Sequence, residues 1–228
     1  MDCKIRKSAW LTLFFGVMSV IFVFLVKNVD VAPVGTFGSV VGLSHINKFF
    51  YEFFGFNMFW YKLTDYPGIL LNVLVAFIFF IVGVREWIKT KSIFKVDKNL
   101  IALGGMYFFS LLVYVLFEKY VVNYRPIILP GEARLEPSFP SSHTMWTVFV
   151  MGSAITKCKR FIKNAKTIKA VKIVLYSTIF IIIAGRIISG VHWFTDILGG
   201  LIIGLTLLAF YSWMACIMDC KRRILPNK

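Results

Sequence analysis

Three features of the sequence predict an all-α fold: a six-transmembrane-helix bundle with an interfacial segment between the first and second spans. Apolar residues make up 58% of the 228 positions, more than the roughly one half expected of a soluble domain. They lie in long uncharged runs, as bilayer-crossing helices require. The Lys and Arg residues behind the net charge of +15 cluster between those runs. In a soluble protein that charge would suggest nucleic acid. Cations kept on one face of a membrane explain it better, so a nucleic-acid partner is not expected.

The first uncharged run covers 8–26, behind Lys4, Arg6 and Lys7. It is long for the core of a signal peptide, and no small-residue cleavage site follows, so it is read as an uncleaved span. Residues 27–65 are broken by Gly35, Gly38, Gly42 and Gly55 and crowded with aromatics from Phe49 to Trp60. That composition suits a re-entrant or interfacial segment at headgroup level. His45 lies there without an evident acidic neighbour and reads as structural. The second span is 67–84, with Pro67 tolerated at its start. The third is 99–117 and the fourth 141–156. The fifth, 170–188, has only a short uncharged centre, lengthened by Lys172 and Arg186 at its ends. The sixth is 197–218, and a basic tail runs from Lys221 to Lys228. The whole chain, 1–228, reads as one integral-membrane domain. The cysteines Cys3, Cys158, Cys216 and Cys220 form no CxxC pair and predict neither zinc nor a disulfide framework.

Six spans put both termini on one side. Of the 26 Lys and Arg residues, 19 fall in the N-terminal stretch, the 85–98 and 157–172 connections and the tail. The other seven lie on the opposite face. The asymmetry predicts cytoplasmic termini and places the polar stretches 118–143 and 185–196 outside.

Those outer stretches carry the chemistry-bearing residues. In Gly185-Arg186-Ile187-Ile188-Ser189-Gly190-Val191-His192-Trp193-Phe194-Thr195-Asp196, helical spacing would set His192 and Asp196 on one face. The aspartate would hold one tautomer and leave the other ring nitrogen free to attack an anion bound by Arg186. In Pro140-Ser141-Ser142-His143, a serine cap and free helix N-terminal amides offer an anion site, and His143 can protonate a leaving oxygen. Lys119 and Arg125-Pro126 precede them, and two cations can clamp phosphate oxygens. Each stretch alone reads equally well as something plainer: a salt-bridged loop, an ordinary serine cap, or cations at the headgroup boundary.

Together, Lys119…Arg125-Pro126, Pro140-Ser141-Ser142-His143 and Gly185-Arg186…His192…Asp196 resemble the type 2 phosphatidic acid phosphatase superfamily, whose pattern is Lys…Arg-Pro, Pro-Ser-Gly-His and Ser-Arg…His…Asp. Three positions depart from it. Lys119 stands one residue nearer Arg125 than the family lysine does, with Glu118 at the expected place. Ser142 replaces the glycine, and Gly185 replaces the serine before the arginine.

The resemblance implies that His192 attacks phosphorus and becomes a phosphohistidine, that Asp196 orients it, and that His143 protonates the leaving group. It implies that Lys119, Arg125, Ser141, Ser142 and Arg186 hold the phosphate oxygens. No metal and no cofactor is expected, because two or three cations and a helix N-terminus can supply the charge stabilisation. Glu132, Arg134 and Glu136 either shape headgroup choice or sit in a solvated loop. The expected activity is metal-independent dephosphorylation of a lipid phosphate or diphosphate at the outer face of a bacterial cell (inner) membrane. Undecaprenyl diphosphate is ranked slightly ahead of phosphatidylglycerol phosphate and phosphatidic acid. A lipid phosphotransferase and a non-catalytic lipid-binding or transport relative are the alternatives.

Overall fold

The computed structural model describes residues 3–129 and 131–224, with side chains described to residue 220. Eight α-helices follow one another among them: α1 Cys3–Asn28, α2 Ser44–Phe54, α3 Met58–Thr64, α4 Tyr66–Thr90, α5 Lys98–Lys119, α6 Ser142–Phe161, α7 Ala165–Ser189 and α8 Phe194–Ile224. No β-strand forms among the described residues; two isolated bridges, Ala32 with Val41 and Tyr124 with Pro137, tie loops together. The last four residues of the basic tail lie outside the described residues.

Every predicted span is a helix; five helices outrun their predicted bounds at both ends, and α6, starting at Ser142, does so at its end only. The reason is chemical. Basic residues flanking each apolar run keep their charges in the headgroup region while the backbone stays helical, so the helices continue past the uncharged centre. The fifth run, short by composition, becomes a 25-residue helix capped by Asn164, whose side chain accepts from Lys166 and Thr167 amides. Five stretches are long and apolar enough to cross a membrane: α1, α3 with α4 as 58–90, α5, α7 and α8. Helix α6, the fourth predicted span, is not among them; Thr144, Thr147 and Ser153 on its buried surface lower its hydropathy.

Helix α8 is the axis: α1, α5 and α6 pack along it, and α6 also receives α7 and α4. Their meeting surface holds the main core, including Val26, Leu103, Met106, Phe139, Met145, Phe149 and Tyr211. Close approach at the start of α6 depends on Gly200, where an added Cβ would stand 2.6 Å from the Ser141 carbonyl oxygen. Small residues at such a contact allow two membrane helices to meet backbone to backbone. Side-chain hydrogen bonds join the helices further in: Asn72 to Thr147 at 2.9 Å, Tyr107 with Ser153 at 2.7 Å, and Ser19 with Thr206 at 2.9 Å. At the end of the bundle away from the start of α6, Arg160 meets Asp97 and Glu86, and Asn99 donates to Asp219.

The aromatic segment of 44–64 forms two short helices, α2 and α3, parted at Gly55. Phe50 stacks on Phe194 at 3.9 Å between ring centres, which fixes α2 against the start of α8. His45 corrects the sequence reading. It does have an acidic neighbour, because Asp30 Oδ1 lies 2.6 Å from its Nδ1 and the His45 amide donates to the same carboxylate. That amide, with the ring and Ser44, holds the Asp30 carboxyl below the usual carboxylate range. The pairing crosses 15 residues of chain, so no local pattern announces it.

Candidate active site

His192, Asp196, His143, Arg125 and Arg186 come together where the start of α6, the end of α7 and the start of α8 meet. Helix α7 brings Arg186 in its last turn, wholly buried. Its Nη2 lies 3.3 Å from His192 Nε2, and Arg125 Nη1 lies 3.2 Å from the same nitrogen. Two guanidinium groups therefore converge on one ring atom, which must be the unprotonated one, because neither guanidinium can accept a hydrogen bond. The ring proton is left on Nδ1, which faces Asp196 Oδ2 at 3.7 Å. Burial first, then Arg125 and Arg186, hold the His192 imidazole well below its ordinary proton affinity. It is a neutral imidazole whose Nε2 lone pair faces the two guanidiniums.

The His192–Asp196 pairing is not made along a helix face, as the spacing predicts. His192 lies in the loop before α8, and Asp196 is in that helix's first turn. The carboxylate accepts from the Trp193 amide at 2.9 Å and so satisfies a free donor at the start of α8. Its other oxygen accepts from Asn123 Nδ2 at 3.1 Å. Asn123 is itself fixed, since its carbonyl receives the Ser138 hydroxyl and amide. Asn47 plays a matching part on the far side, accepting from the Thr195 amide and donating to its hydroxyl. Sequence reasoning passed over Asn123 and Asn47. Asn123 lies within the Lys…Arg stretch, and its signal is an amide side chain amid apolar residues two positions before Arg125.

Ser141 corrects the serine-cap expectation. It stands at the N-cap of α6 but makes no side-chain cap. Its hydroxyl accepts from Thr144, and its amide is spent on the Asp196 carbonyl at 2.9 Å. The amides of Ser142, His143 and Thr144 are the free donors of this helix end. Arg125 is braced by Glu136, which accepts from its Nε at 3.1 Å and, through the main chain, from its amide at 3.0 Å. Glu132 and Arg134 are exposed. Lys119 ends α5, is exposed, and makes no hydrogen bond or ion pair with the other predicted site residues.

One carboxylate here belongs to no motif. Asp65, at the junction of α3 and α4, sets Oδ1 3.1 Å from Arg186 Nη1 and 3.2 Å from His143 Nε2. Arg186 Nε, fully buried, has no acceptor in the protein. Among the described residues, no three His, Cys, Asp or Glu side chains form a metal-ligand set.

A family model described as the PAP2 superfamily matches residues 99–216. A solved structure, described as the first transmembrane PAP2 type phosphatidylglycerolphosphate phosphatase from Bacillus subtilis, is similar in fold, with a TM-score of 0.62 and 18% identity. The similarity covers 92% of this chain and 96% of that one. No match was found among curated proteins.

Proposed function

Since this chain belongs to the PAP2 superfamily, we propose that it is a membrane lipid phosphatase acting through a phosphohistidine on His192. The observation that carries this reading is the convergence of Arg125 and Arg186 on His192 Nε2. A phosphoryl group between those cations would lie against the lone pair of the nucleophile. The orphaned Arg186 Nε and the free amides at the start of α6 supply further donors for its oxygens.

In the reaction, His192 Nε2 attacks phosphorus as the bond to the leaving oxygen breaks. The leaving alcohol or phosphate takes a proton from His143. Asp196 holds His192 Nδ1–H and stabilises the positive ring. Water, losing its proton to His143, then cleaves the phosphorus–nitrogen bond and releases phosphate. Arg125, Arg186 and the Ser142 amide hold the phosphate oxygens, with the Ser141 side chain behind them. Lys119 adds long-range positive charge only.

The arrangement in the membrane belongs to the same reading. The chain is one domain in which α6 is the fourth of six spans, screened from lipid by its neighbours, and α2 lies at the outer interface. Both termini are cytoplasmic and the site faces outward, in a bacterial inner membrane. A lipid phosphate at headgroup depth then reaches His192 by lateral diffusion. Undecaprenyl diphosphate and phosphatidylglycerol phosphate are the leading substrates. The outward site favours the first; the second is what the name of the Bacillus subtilis structure gives that protein.

The test is phosphate release by purified protein in detergent with EDTA, from undecaprenyl diphosphate, phosphatidylglycerol phosphate and phosphatidic acid. Release that persists in EDTA and vanishes in His192→Ala supports the reading, and the fastest lipid names the substrate. Release unaffected by His192→Ala overturns it.

A further inference from the structure

Asp65 contacts the two groups that this mechanism asks most of, and it comes from a part of the chain that none of the three motifs covers. We propose that Asp65 is a positioning residue that favours the protonated His143 ring from which the leaving group takes its proton. This rests on the phosphatase reading above.

The first support is electrostatic. His143 is 7% exposed. The charged and titratable groups facing it are Arg186 from α7, Arg125 from the loop before α6, His192 from the loop before α8, and Asp65 from the α3–α4 junction. Burial and two guanidiniums oppose a third positive charge, and His192 is neutral. Asp65 is the anion at ion-pair distance, 3.2 Å from Nε2. A general acid must hold its proton until the leaving oxygen needs it, and Asp65 is the group that favours that state here. Asp196 lies instead on His192, so each histidine has its own carboxylate.

The second support is steric. At Gly185 an added Cβ would stand 2.4 Å from Thr64 Cγ2 and 3.0 Å from Trp60 Cε3. The serine that the family carries before the arginine has no room, because α3 packs against α7 at that point. The same packing delivers Asp65, one residue after Thr64, to Arg186 Nη1.

The experiment compares wild type and Asp65→Asn on phosphatidic acid, whose alkoxide leaving group needs a proton, and on p-nitrophenyl phosphate, whose leaving group does not. Asp65→Asn should lose on the order of 100-fold in kcat on the lipid. On the aryl ester the loss should be under about 3-fold, with KM little changed on either, because only acid assistance is removed. The ratio is taken on one sample, so a misfolded fraction cancels. Equal loss on both substrates reduces Asp65 to packing. A lower KM with kcat intact would make Asp65 a carboxylate seated where the phosphate goes. Either result overturns the assignment.

A second measurement needs no turnover. The chain has three histidines, so nitrogen NMR of histidine-labelled protein can follow the His143 ring, assigned with His143→Gln. The ring should carry two protons in wild type at a pH where Asp65→Asn carries one; identical behaviour overturns the proposal. Wild-type protein that releases phosphate from neither substrate sinks the phosphatase reading, while the NMR comparison still judges the Asp65–His143 pairing.

Discussion

Helix α1 and helix α6 invert the rule of soluble proteins. α1 is strongly apolar, yet Val26 is its one buried residue. α6 is less apolar, and most of its length is buried, including His143, Thr144, Thr147 and Ser153. In a bilayer, hydrophobicity marks the surface given to lipid, because lipid tails are as apolar as leucine. Polar groups retreat inward, where other helices can satisfy them. The comparison teaches that in this chain the least hydrophobic helix is the one to search for function, and α6 does open on His143.

The comparison can be broken from its polar side first. His143→Ala, on α6, should lose about 10²- to 10⁴-fold in lipid turnover, the usual worth of a general acid; phosphate release by the folded variant checks it. Asn123→Ala removes the amide that holds Asp196 and leaves a buried carboxylate short of a donor. Loss of one such bond is worth about 1.5–3 kcal/mol, so kcat/KM should fall by roughly 10- to 100-fold, with single-turnover rates as the check. Lys119→Ala should cost no more than about 10-fold, or 1.4 kcal/mol, since this exposed lysine has no bonded place in the site. A loss matching that of His192→Ala would restore it to phosphate contact.

Acid tests the same interior. An unfolded histidine takes up a proton near pH 6.5. Folded His192, buried beside two guanidiniums, resists until lower pH. Between those points the unfolded chain binds more protons, so stability falls as pH falls, by up to about 1.4 kcal/mol per pH unit for this one group. The thermal midpoint in detergent should therefore drop below pH 6.5 in wild type and drop less in His192→Ala. The smallest effect belongs to the lipid face. Phe24→Leu on α1, 62% exposed in the protein, should shift stability by less than about 0.5 kcal/mol and leave turnover unchanged. A large loss there would mean that α1 meets a protein partner rather than lipid.

Much of this was legible in the residues. Long uncharged runs located the helices, although lysines and arginines that the backbone carries into the headgroup region hid their true ends. Arg125, His143, Arg186, His192 and Asp196 were legible because their chemistry is a pattern of residue types at fixed separations. The partners that make them work were less so. Asn123 reads as an ordinary polar residue until it is found against Asp196, and Ser141 looks like a cap until its amide is found on the Asp196 carbonyl.

By itself, the sequence determined that the chain is helical and membrane-bound, and it singled out side chains that the fold brings together. Those properties follow from hydropathy and residue type, which are local. Tertiary structure alone decided which carboxylate serves which histidine. Asp65 meets Arg186 across 121 positions and Asn123 meets Asp196 across 73. Such contacts depend on how closely helices approach, and at Gly185 and Gly200 that approach is set by the absence of a side chain.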